Sequence, residues 1–327
     1  DPVSLARRGR RAANPVVPLV ADLRAAAGPD AGRWAHWGAT SQDILDTAAM
    51  LVCRRALRII ERDAASLAAS SATLARAHRD TPMAARTLLQ QAAPTTFGLK
   101  TAGWMVAAMD AGSGLARLRP RLAAQLGGAA GTMAALGPAG PAVLSYFAAQ
   151  LGLAEPLLPW HTSRGLVAEI AAAVAVASGA AAKTALDVVL LSQSEVAEVS
   201  EREGGTSSAM PHKHNPAAAV TAVAAAHRAR GLAATILGAM PQEHERAAGA
   251  WQAEWSTLSD LLAAAGGAVA YAGQSVSDLV VHPKAMRANL DRAGEVLRAG
   301  MDEAAHLRSA GSLVDRALRA YDKREAP

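Results

Sequence analysis

Long stretches without proline dominate this chain, and within them apolar residues recur at helical spacing. No alternation of period two is long enough to predict a sheet, so the pattern predicts an all-α protein. The predicted helices, in chain order, are residues 41–80, 94–109, 164–203, 216–240 and 252–275.

The stretch at residues 164–203 is apolar on nearly every face until its polar end at 192–203. A helix of this kind is buried on all sides, which one chain alone can hardly provide. We therefore expect a long central helical bundle that packs against further copies of the chain. The predicted regions are an abbreviated N-terminal helical region at 1–60, a central long-helix bundle at 61–276 and a short C-terminal helical region at 277–327.

Short connectors marked by glycine and proline hold most of the polar residues. In a rigid helical scaffold, catalytic side chains are commonly held at the ends of the helices, so we expect the catalytic residues in these connectors. The connectors are residues 80–93, 127–141, 156–164, 204–216 and 241–249.

The composition refines this picture. Hydrophobic residues make up 51% of the 327 residues but aromatic residues only 3%, which predicts an interior of closely packed Ala, Leu and Val. The single cysteine, Cys53, excludes an intramolecular disulfide, and its apolar neighbours predict that it is buried. This cysteine usage favours a reducing, cytoplasmic location.

The net charge of +5, with a pI near 9.8, comes mostly from arginines scattered along the helices without aromatic interleaving. This pattern argues against nucleic-acid binding and agrees with attraction of a small polyanionic substrate. The most apolar stretch, residues 170–182, is short and rich in alanine, so no membrane span is predicted. The chain starts at Asp1 without a signal-peptide pattern, and targeting cannot be judged from it.

The connector at 204–216 has the densest set of reactive side chains. Its glycines predict a hinge and its prolines a stiff second half. Ser207 and Ser208 are candidate proton carriers, Lys213 is a cation for an anionic group, and Asn215 is an amide donor. These groups can stabilise an enolate, although a polar surface loop has a similar composition.

A second cluster, at residues 36–43, lies just before the first long helix. Thr40 or Ser41 can cap that helix. The exposed amides of the helix start, with these two hydroxyls, also form an anion site beside His36. The cluster is therefore either a helix cap or a carboxylate site.

A third cluster, at residues 86–98, is predicted to be a loop that leads into a helix. Thr87 and Gln90 are its candidate substrate-binding residues. Taken alone the signal is weak, because Thr95 or Thr96 after Pro94 fits a simple helix cap.

The order of residues in these clusters resembles the fumarase/aspartase superfamily. Residues 205–216, Gly-Thr-Ser-Ser-Ala-Met-Pro-His-Lys-His-Asn-Pro, resemble its signature, with Thr206 inserted after the glycine. Residues 36–43 resemble its first conserved region, which ends in Thr-Ser-x-Asp. Residues 86–98 resemble its second region, commonly Thr-His-x-Gln, but Leu88 replaces the histidine.

The leucine indicates a branch of the superfamily. The missing histidine is associated with protonating a poor leaving group, whereas a carboxylate, with a conjugate-acid pKa of about 4, leaves without a proton. The chain therefore resembles the bacterial 3-carboxy-cis,cis-muconate cycloisomerases, which interconvert that substrate and 4-carboxymuconolactone in protocatechuate breakdown through the β-ketoadipate pathway. Four further segments also resemble this branch in sequence: residues 159–164, 242–246, 249–255 and 307–318.

The resemblance implies a reaction through an aci-carboxylate intermediate with no cofactor or metal, in a homotetramer whose active sites are shared between subunits. Ser207 is implied as the proton carrier on a loop that closes, helped by Lys213 and helix amides, with His36 and His161 in orientation or proton transfer. His212 and His214 are weaker candidates. The implied substrate-binding residues are Thr40, Ser41, Thr87, Gln90, Asn215, Ser208, Met210 and Arg164.

Two alternatives remain open at this stage. An adenylosuccinate or argininosuccinate lyase is favoured by residues 210–213 but opposed by Leu88 and Gln91. A non-catalytic helical assembly protein is the other, because the chain is shorter at both ends than family members generally are. Ser163 also stands where relatives often have glutamine.

Overall fold

The computed structural model describes residues 1–210, 213–292 and 302–325, and helices dominate them. The all-α prediction is confirmed. The helices are α1 Pro2–Gly9, α2 Val16–Gly32, α3 Ser41–Ala77, α4 Phe97–Leu118, α5 Gly140–Leu151, α6 Gly165–Leu191, α7 Ala217–Gly238, α8 Ala250–Ser277, α9 Pro283–Arg292 and α10 Glu303–Glu325.

The predicted helix at 164–203 ends earlier than expected, at Leu191. One side chain and one backbone amide after this point bond the last carbonyls of the helix. Ser192 Oγ donates to Val188 O, and the Glu198 N–H donates to Leu191 O. These bonds replace the next helical turn, so the prediction of helix over 192–203 was wrong.

Within this helical fold, the described residues also include four short strands, which form two two-stranded antiparallel sheets. Strand β1, Pro82–Thr87, pairs antiparallel with β2, Gln90–Thr96. Strand β3, Val199–Glu201, pairs antiparallel with β4, Leu279–Val281. Residues 86–98 are thus mostly strand and not loop. The sequence pattern for these strands is weak, because β1 buries only Met83 and Ala84 fully.

The core is built largely from alanine, as the composition predicts. Fully buried alanines on four long helices permit close helix approach; examples are Ala72, Ala185, Ala226 and Ala268. Cys53, in the first unit, is buried as predicted, and burial raises the pKa of its thiol to about 12. The thiol is therefore protonated and unreactive at neutral pH.

The chain divides into two compact units. The first comprises residues 1–57, 117–171 and 234–258, and the second comprises residues 58–116, 172–233 and 259–327. The first unit contains the cluster at 36–43 and the connector at 156–164. The second contains the β1–β2 hairpin and the connector at 204–216. The three-region division expected from the sequence stays a prediction.

Helix α6 has 27 residues and a mean hydropathy of 1.8 in its most apolar window, enough to cross a membrane by length and composition. The apolar stretch 170–182 lies inside this longer helix. We interpret α6 as a core helix, since 44% of that window is buried inside the protein. Its Asp187 also accepts a hydrogen bond from the Trp104 indole at 2.7 Å.

Candidate active site

Asp43, at the start of α3, organises the first unit's candidate site. Its carboxylate is 1% exposed and accepts three backbone hydrogen bonds. Thr40 N–H donates to Oδ2 at 2.8 Å, and the N–H groups of Gly127 and Gly128 donate at 3.0 Å each. Asp43 therefore closes the helix start and holds the 127–128 backbone against it.

The same carboxylate orients His161. His161 Nε2 lies 2.6 Å from Asp43 Oδ1, and the His161 side chain is 4% exposed. Its carbonyl accepts a hydrogen bond from Gln42 Nε2 at 2.7 Å. A Cβ at position 127 would lie 2.7 Å from His161 Cε1, so glycine is required there by close approach. Within the described residues, Nδ1 has no hydrogen bond, which leaves that nitrogen for a ligand.

The hydroxyls of Thr40 and Ser41 have no hydrogen-bond partner in the part of the chain that the structure describes. Both residues are half-buried. They remain available to an anionic ligand at the start of α3, while the Thr40 amide is already bound to Asp43.

His36 has an unusual backbone, with a φ of 62°, and is half-buried. Its Nδ1 is buried without a hydrogen-bond partner among the described residues. Burial lowers the pKa of His36, and the charge of Arg24 lowers it further. The imidazole is therefore neutral at pH 7 and acts as a dipole and not as a cation.

Arg164, predicted to bind substrate, is enclosed by carboxylates. Its side chain is 3% exposed and bonds Asp46 on α3 and Glu254 on α8. Trp251 Nε1 donates to Asp46 at 3.0 Å, and Gln242 Nε2 donates to Glu254 at 3.0 Å. The guanidinium thus pairs with two carboxylates of the protein itself, and its predicted contact with substrate stays a prediction.

Two carboxylates share this one buried cation. Burial disfavours the charge of Arg164, but its hydrogen bond to Glu254 and the charge of Asp46 outweigh this and raise its pKa. Burial, with the nearby charge of Asp46, raises the pKa of Glu254 despite Arg164. Arg164 therefore stays cationic, and Glu254 is a group that takes up a proton readily on acidification.

In the second unit, residues 205–215 form a loop whose ends are paired. Gly205 N–H donates to Asn215 O at 2.8 Å and Asn215 N–H returns to Gly205 O at 3.0 Å. Asn215 Nδ2 also donates to Gly205 O at 3.3 Å. A Cβ at position 205 would lie 2.8 Å from Ala217 Cβ. Gly205 therefore permits close packing at the base of this loop.

Within the loop, Ser207 is half-buried and its hydroxyl accepts the Met210 N–H at 3.1 Å. Lys213 N–H donates to Met210 O at 3.0 Å, and the side chains of Lys213 and Ser208 are exposed. Pro211 and His212, in the same loop, lie outside the described residues.

Three predicted site residues meet at one cleft of about 950 Å³. Met210, Lys213 and Asn215 form its loop side, and Ser192 and Gln193, directly after α6, form the other. The cleft joins an exposed cation to hydroxyl and amide groups, a combination that suits a carboxylate ligand.

The helix amides expected near Ser207 are not free at α7. The N–H groups of Ala218 and Ala219 donate to the Glu201 carboxylate at 3.0 Å and 2.9 Å. Glu201 thereby caps this helix start and satisfies its positive end. An anion beside Ser207 must find other donors.

A sequence profile described as lyase matches residues 11–231, more than half of the chain. The chain belongs to this lyase family of the fumarase/aspartase superfamily. The 205–216 loop is therefore called the signature loop from here on.

Individual lyases are similar to most of the chain. It is 46% identical over 298 residues to a 3-carboxy-cis,cis-muconate cycloisomerase of Bradyrhizobium diazoefficiens, covering 89% of this chain and 66% of the relative. It is also 46% identical over 308 residues to a nitrosuccinate lyase of Streptomyces davaonensis, covering 90% and 65%. The chain thus spans about two thirds of the length of these relatives.

A solved structure agrees with the fold. The crystal structure of a 3-carboxy-cis,cis-muconate lactonizing enzyme from Pseudomonas putida matches with a TM-score of 0.91 and 35% identity. The match covers 100% of this chain and 86% of that one. The lyase fold is therefore present along the described chain.

The remaining predicted residues lie at the hairpin turn. Thr87 ends β1 and Gln90 begins β2, and both are exposed. The turn residues between them, Leu88 and Leu89, have φ values of 51° and 63° and are 96% and 76% exposed. Thr87 and Gln90 are thus exposed on the surface of the second unit.

Sequence reasoning missed several groups that support the site. No catalytic role was predicted for Asp43, although its carboxylate orients His161. Arg246, within residues 242–246, donates to Gln42 Oε1 at 2.9 Å and to Ala129 O at 2.7 Å. Among the described residues, no group of three His, Cys, Asp or Glu side chains is arranged to hold a metal ion.

Proposed function

We propose that the protein is a cycloisomerase that interconverts 3-carboxy-cis,cis-muconate and 4-carboxymuconolactone. The observation that carries this proposal is the 46% identity to a cycloisomerase of that name over 89% of this chain. The leucine at position 88 supports it, because a carboxylate leaving group needs no proton donor there.

In the lactonising direction, an oxygen of one substrate carboxylate attacks an alkene carbon and forms the ring C–O bond. The alkene electrons move onto a neighbouring carboxylate and form an aci-carboxylate. A proton then adds to the carbon α to that group. In the reverse direction a base removes the α proton, the aci-carboxylate forms, and the C–O bond breaks. The reaction is redox-neutral and balances without a cofactor or metal.

Ser207 is proposed to carry the α proton. Its hydroxyl now accepts the Met210 N–H, so it must turn toward the substrate for catalysis. A serine alkoxide forms only where nearby groups stabilise it, and closure of the signature loop would supply them. The amides of α7 are occupied by Glu201, which leaves Lys213 as the main cation on the loop.

Lys213 is proposed to bind the carboxylate that takes up charge, with Asn215, Ser208 and Met210 at the same loop. The exposed ammonium of Lys213 lines the 950 Å³ cleft, which supports this role. The Asn215 amide donates to Gly205 O, so in this state it closes the loop base instead of facing a ligand.

The other predicted residues are proposed to bind and orient the remaining carboxylates. Thr40 and Ser41 offer hydroxyls that have no partner among the described residues, and His161 offers Nδ1 on a ring fixed by Asp43. His36 is a neutral dipole, while Arg164 acts through Asp46 and Glu254. Thr87 and Gln90 would act from the exposed hairpin turn.

We also propose a cytoplasmic homotetramer with shared active sites. Support comes from large apolar side chains that stand exposed on α6 and α7, such as Val176, Leu186, Val220 and Leu237, at 45–65% exposure. Apolar surface of this extent on a helix commonly covers a subunit interface. The expected partners are a small polycarboxylate substrate and further copies of the chain, with neither nucleic acid nor membrane.

A second candidate, a nitrosuccinate lyase, is favoured by an equal identity of 46%. Nitrite, like a carboxylate, is a weakly basic leaving group. Leu88 is therefore compatible with both reactions, and the two can be separated only by assay.

The test follows loss of the near-ultraviolet diene absorbance of 3-carboxy-cis,cis-muconate and, in parallel, nitrite release from nitrosuccinate. Wild type is compared with Ser207→Ala and with Ser277→Ala, an exposed serine at the end of α8, as the control. Diene loss with wild type and Ser277→Ala but not Ser207→Ala would support the proposal. Nitrite release without diene loss would replace it by the second candidate.

A further inference from the structure

A buried ion pair joins the hairpin to the segment before β3 inside the second unit. Arg86 Nη1 donates to Glu198 Oε2 at 3.0 Å, and Nη2 donates to Oε1 at 2.7 Å. The Glu198 side chain is 0% exposed and that of Arg86 is 22% exposed. Two parallel bonds of this kind fix both the distance and the orientation of the partners.

Glu198 is bound on every side. Asn289 Nδ2 on α9 donates to its carboxylate at 2.7 Å and to Val196 O at 2.8 Å. The Glu198 N–H donates to Leu191 O, and its carbonyl accepts the His282 N–H, each at 2.9 Å. One residue therefore ties together the end of α6, the start of α9 and the hairpin.

Each partner of the pair leads directly to a candidate substrate segment. Arg86 immediately precedes Thr87, and the strand register shifts between Ala84 and Arg86. An irregularity of this type redirects the side chain that follows it. On the other side, β3 begins one residue after Glu198 and leads to the signature loop. The Arg86–Glu198 bonds thus form a direct side-chain link between the two segments.

We propose that Arg86, Glu198 and Asn289 are positioning residues that hold the Thr87–Gln90 turn at a fixed place relative to the base of the signature loop. This inference rests on the proposed function. None of the three side chains lines the 950 Å³ cleft, so they act through the segments they hold. A misplacement of about 1 Å can cost a reaction ~100-fold, without loss of the fold.

The first test compares Glu198→Gln and Arg86→Lys with a matched control, Asp322→Asn. The control removes a carboxylate from an exposed ion pair with Arg76 in the same unit. With 3-carboxy-cis,cis-muconate as substrate, we expect kcat to fall ~10- to 100-fold in the two test variants, with KM within about threefold. The control should keep the wild-type values.

A second variant separates positioning from plain stability. Arg86→Met combined with Glu198→Leu replaces the pair by apolar side chains, which commonly preserves stability. We expect its thermal midpoint to return close to the wild-type value while kcat stays low. Recovery of both the midpoint and kcat would overturn the proposal, because the pair would then be only structural.

Amide hydrogen exchange provides a readout that needs no substrate. In Glu198→Gln, exchange should accelerate in residues 82–96 and 199–210 but not in α2 of the first unit. If wild type leaves 3-carboxy-cis,cis-muconate unchanged, the proposed function is wrong. The hydrogen-exchange measurement still tests the positioning role of Glu198, because it needs no substrate. Unchanged exchange in both segments would overturn the positioning role itself.

Discussion

His161 Nε2 lies 2.6 Å from Asp43 Oδ1, although 118 residues separate the two in the chain. The same carboxylate holds three backbone N–H groups, so its position is fixed from four directions. The imidazole cannot turn without breaking this arrangement. Nδ1 is consequently presented at one orientation, which is the condition for a histidine that binds or transfers a proton.

Asp43→Asn should lower the proposed cycloisomerase kcat/KM ~10- to 100-fold, because the amide cannot accept all four hydrogen bonds and the ring loses its orientation. Steady-state kinetics with the diene substrate will check this. Asp22→Asn is the control, since it removes an exposed carboxylate paired with Arg8 in the same unit. Equal kinetics for both variants would show that His161 orientation is unimportant.

Gly205→Ala should weaken the base of the signature loop. The new Cβ would lie 2.8 Å from Ala217 Cβ, which forces the Gly205–Asn215 pairing apart. We expect a lower thermal midpoint and a higher KM, measured by scanning calorimetry and kinetics. Gly267→Ala on α8 is the contrasting control. Nothing lies within 4 Å of its added Cβ, so helix propensity should stabilise it by about 0.5–1 kcal/mol.

The sequence predicts the local features of this structure better than the contacts between distant residues. The long helices follow from proline-free apolar runs, because their period is a local property of the chain. The signature loop was recognised from the order of its residues. The surroundings of Arg164 could not be predicted, since Asp46 and Glu254 are 118 and 90 residues away. The hairpin was missed because its turn holds Leu88 and Leu89 in place of the usual Asn-Gly.

Acid should destabilise the protein through His36 and His78. Burial is the first cause that lowers the pKa of each below the ordinary 6.5. Their folded-state pKa values are depressed, so the unfolded chain binds protons first as the pH falls. The stability that these neutral rings contribute is full above about pH 6.5 and is lost as the pH falls through the folded pKa values.

Thermal midpoints measured from pH 7.5 to 5 will check this. The decline on acidification should be smaller in the combined variant His36→Gln and His78→Gln than in wild type. His227→Gln, at an exposed histidine on α7, is the control and should follow wild type. Burial raises the pKa of Glu254, so protonation of this carboxyl on acidification favours the folded state. This contribution is common to all variants, and the change in thermal midpoint is therefore compared between the variants and wild type. Parallel curves for the combined variant and wild type would contradict the prediction.

The last prediction concerns Leu88 and Leu89, which occupy left-handed backbone with exposed side chains. A left-handed conformation costs a residue other than glycine about 1–2 kcal/mol, and Asn or Gly relieves most of it. Leu88→Asn combined with Leu89→Gly should therefore stabilise the hairpin. If the turn enters a shared active site, as proposed, the same variant should have a lower cycloisomerase kcat/KM, and its tetramer should dissociate more readily. Calorimetry, kinetics and sedimentation on one preparation will compare these effects. A more stable variant with unchanged activity and assembly would show that the leucines face solvent in the working protein.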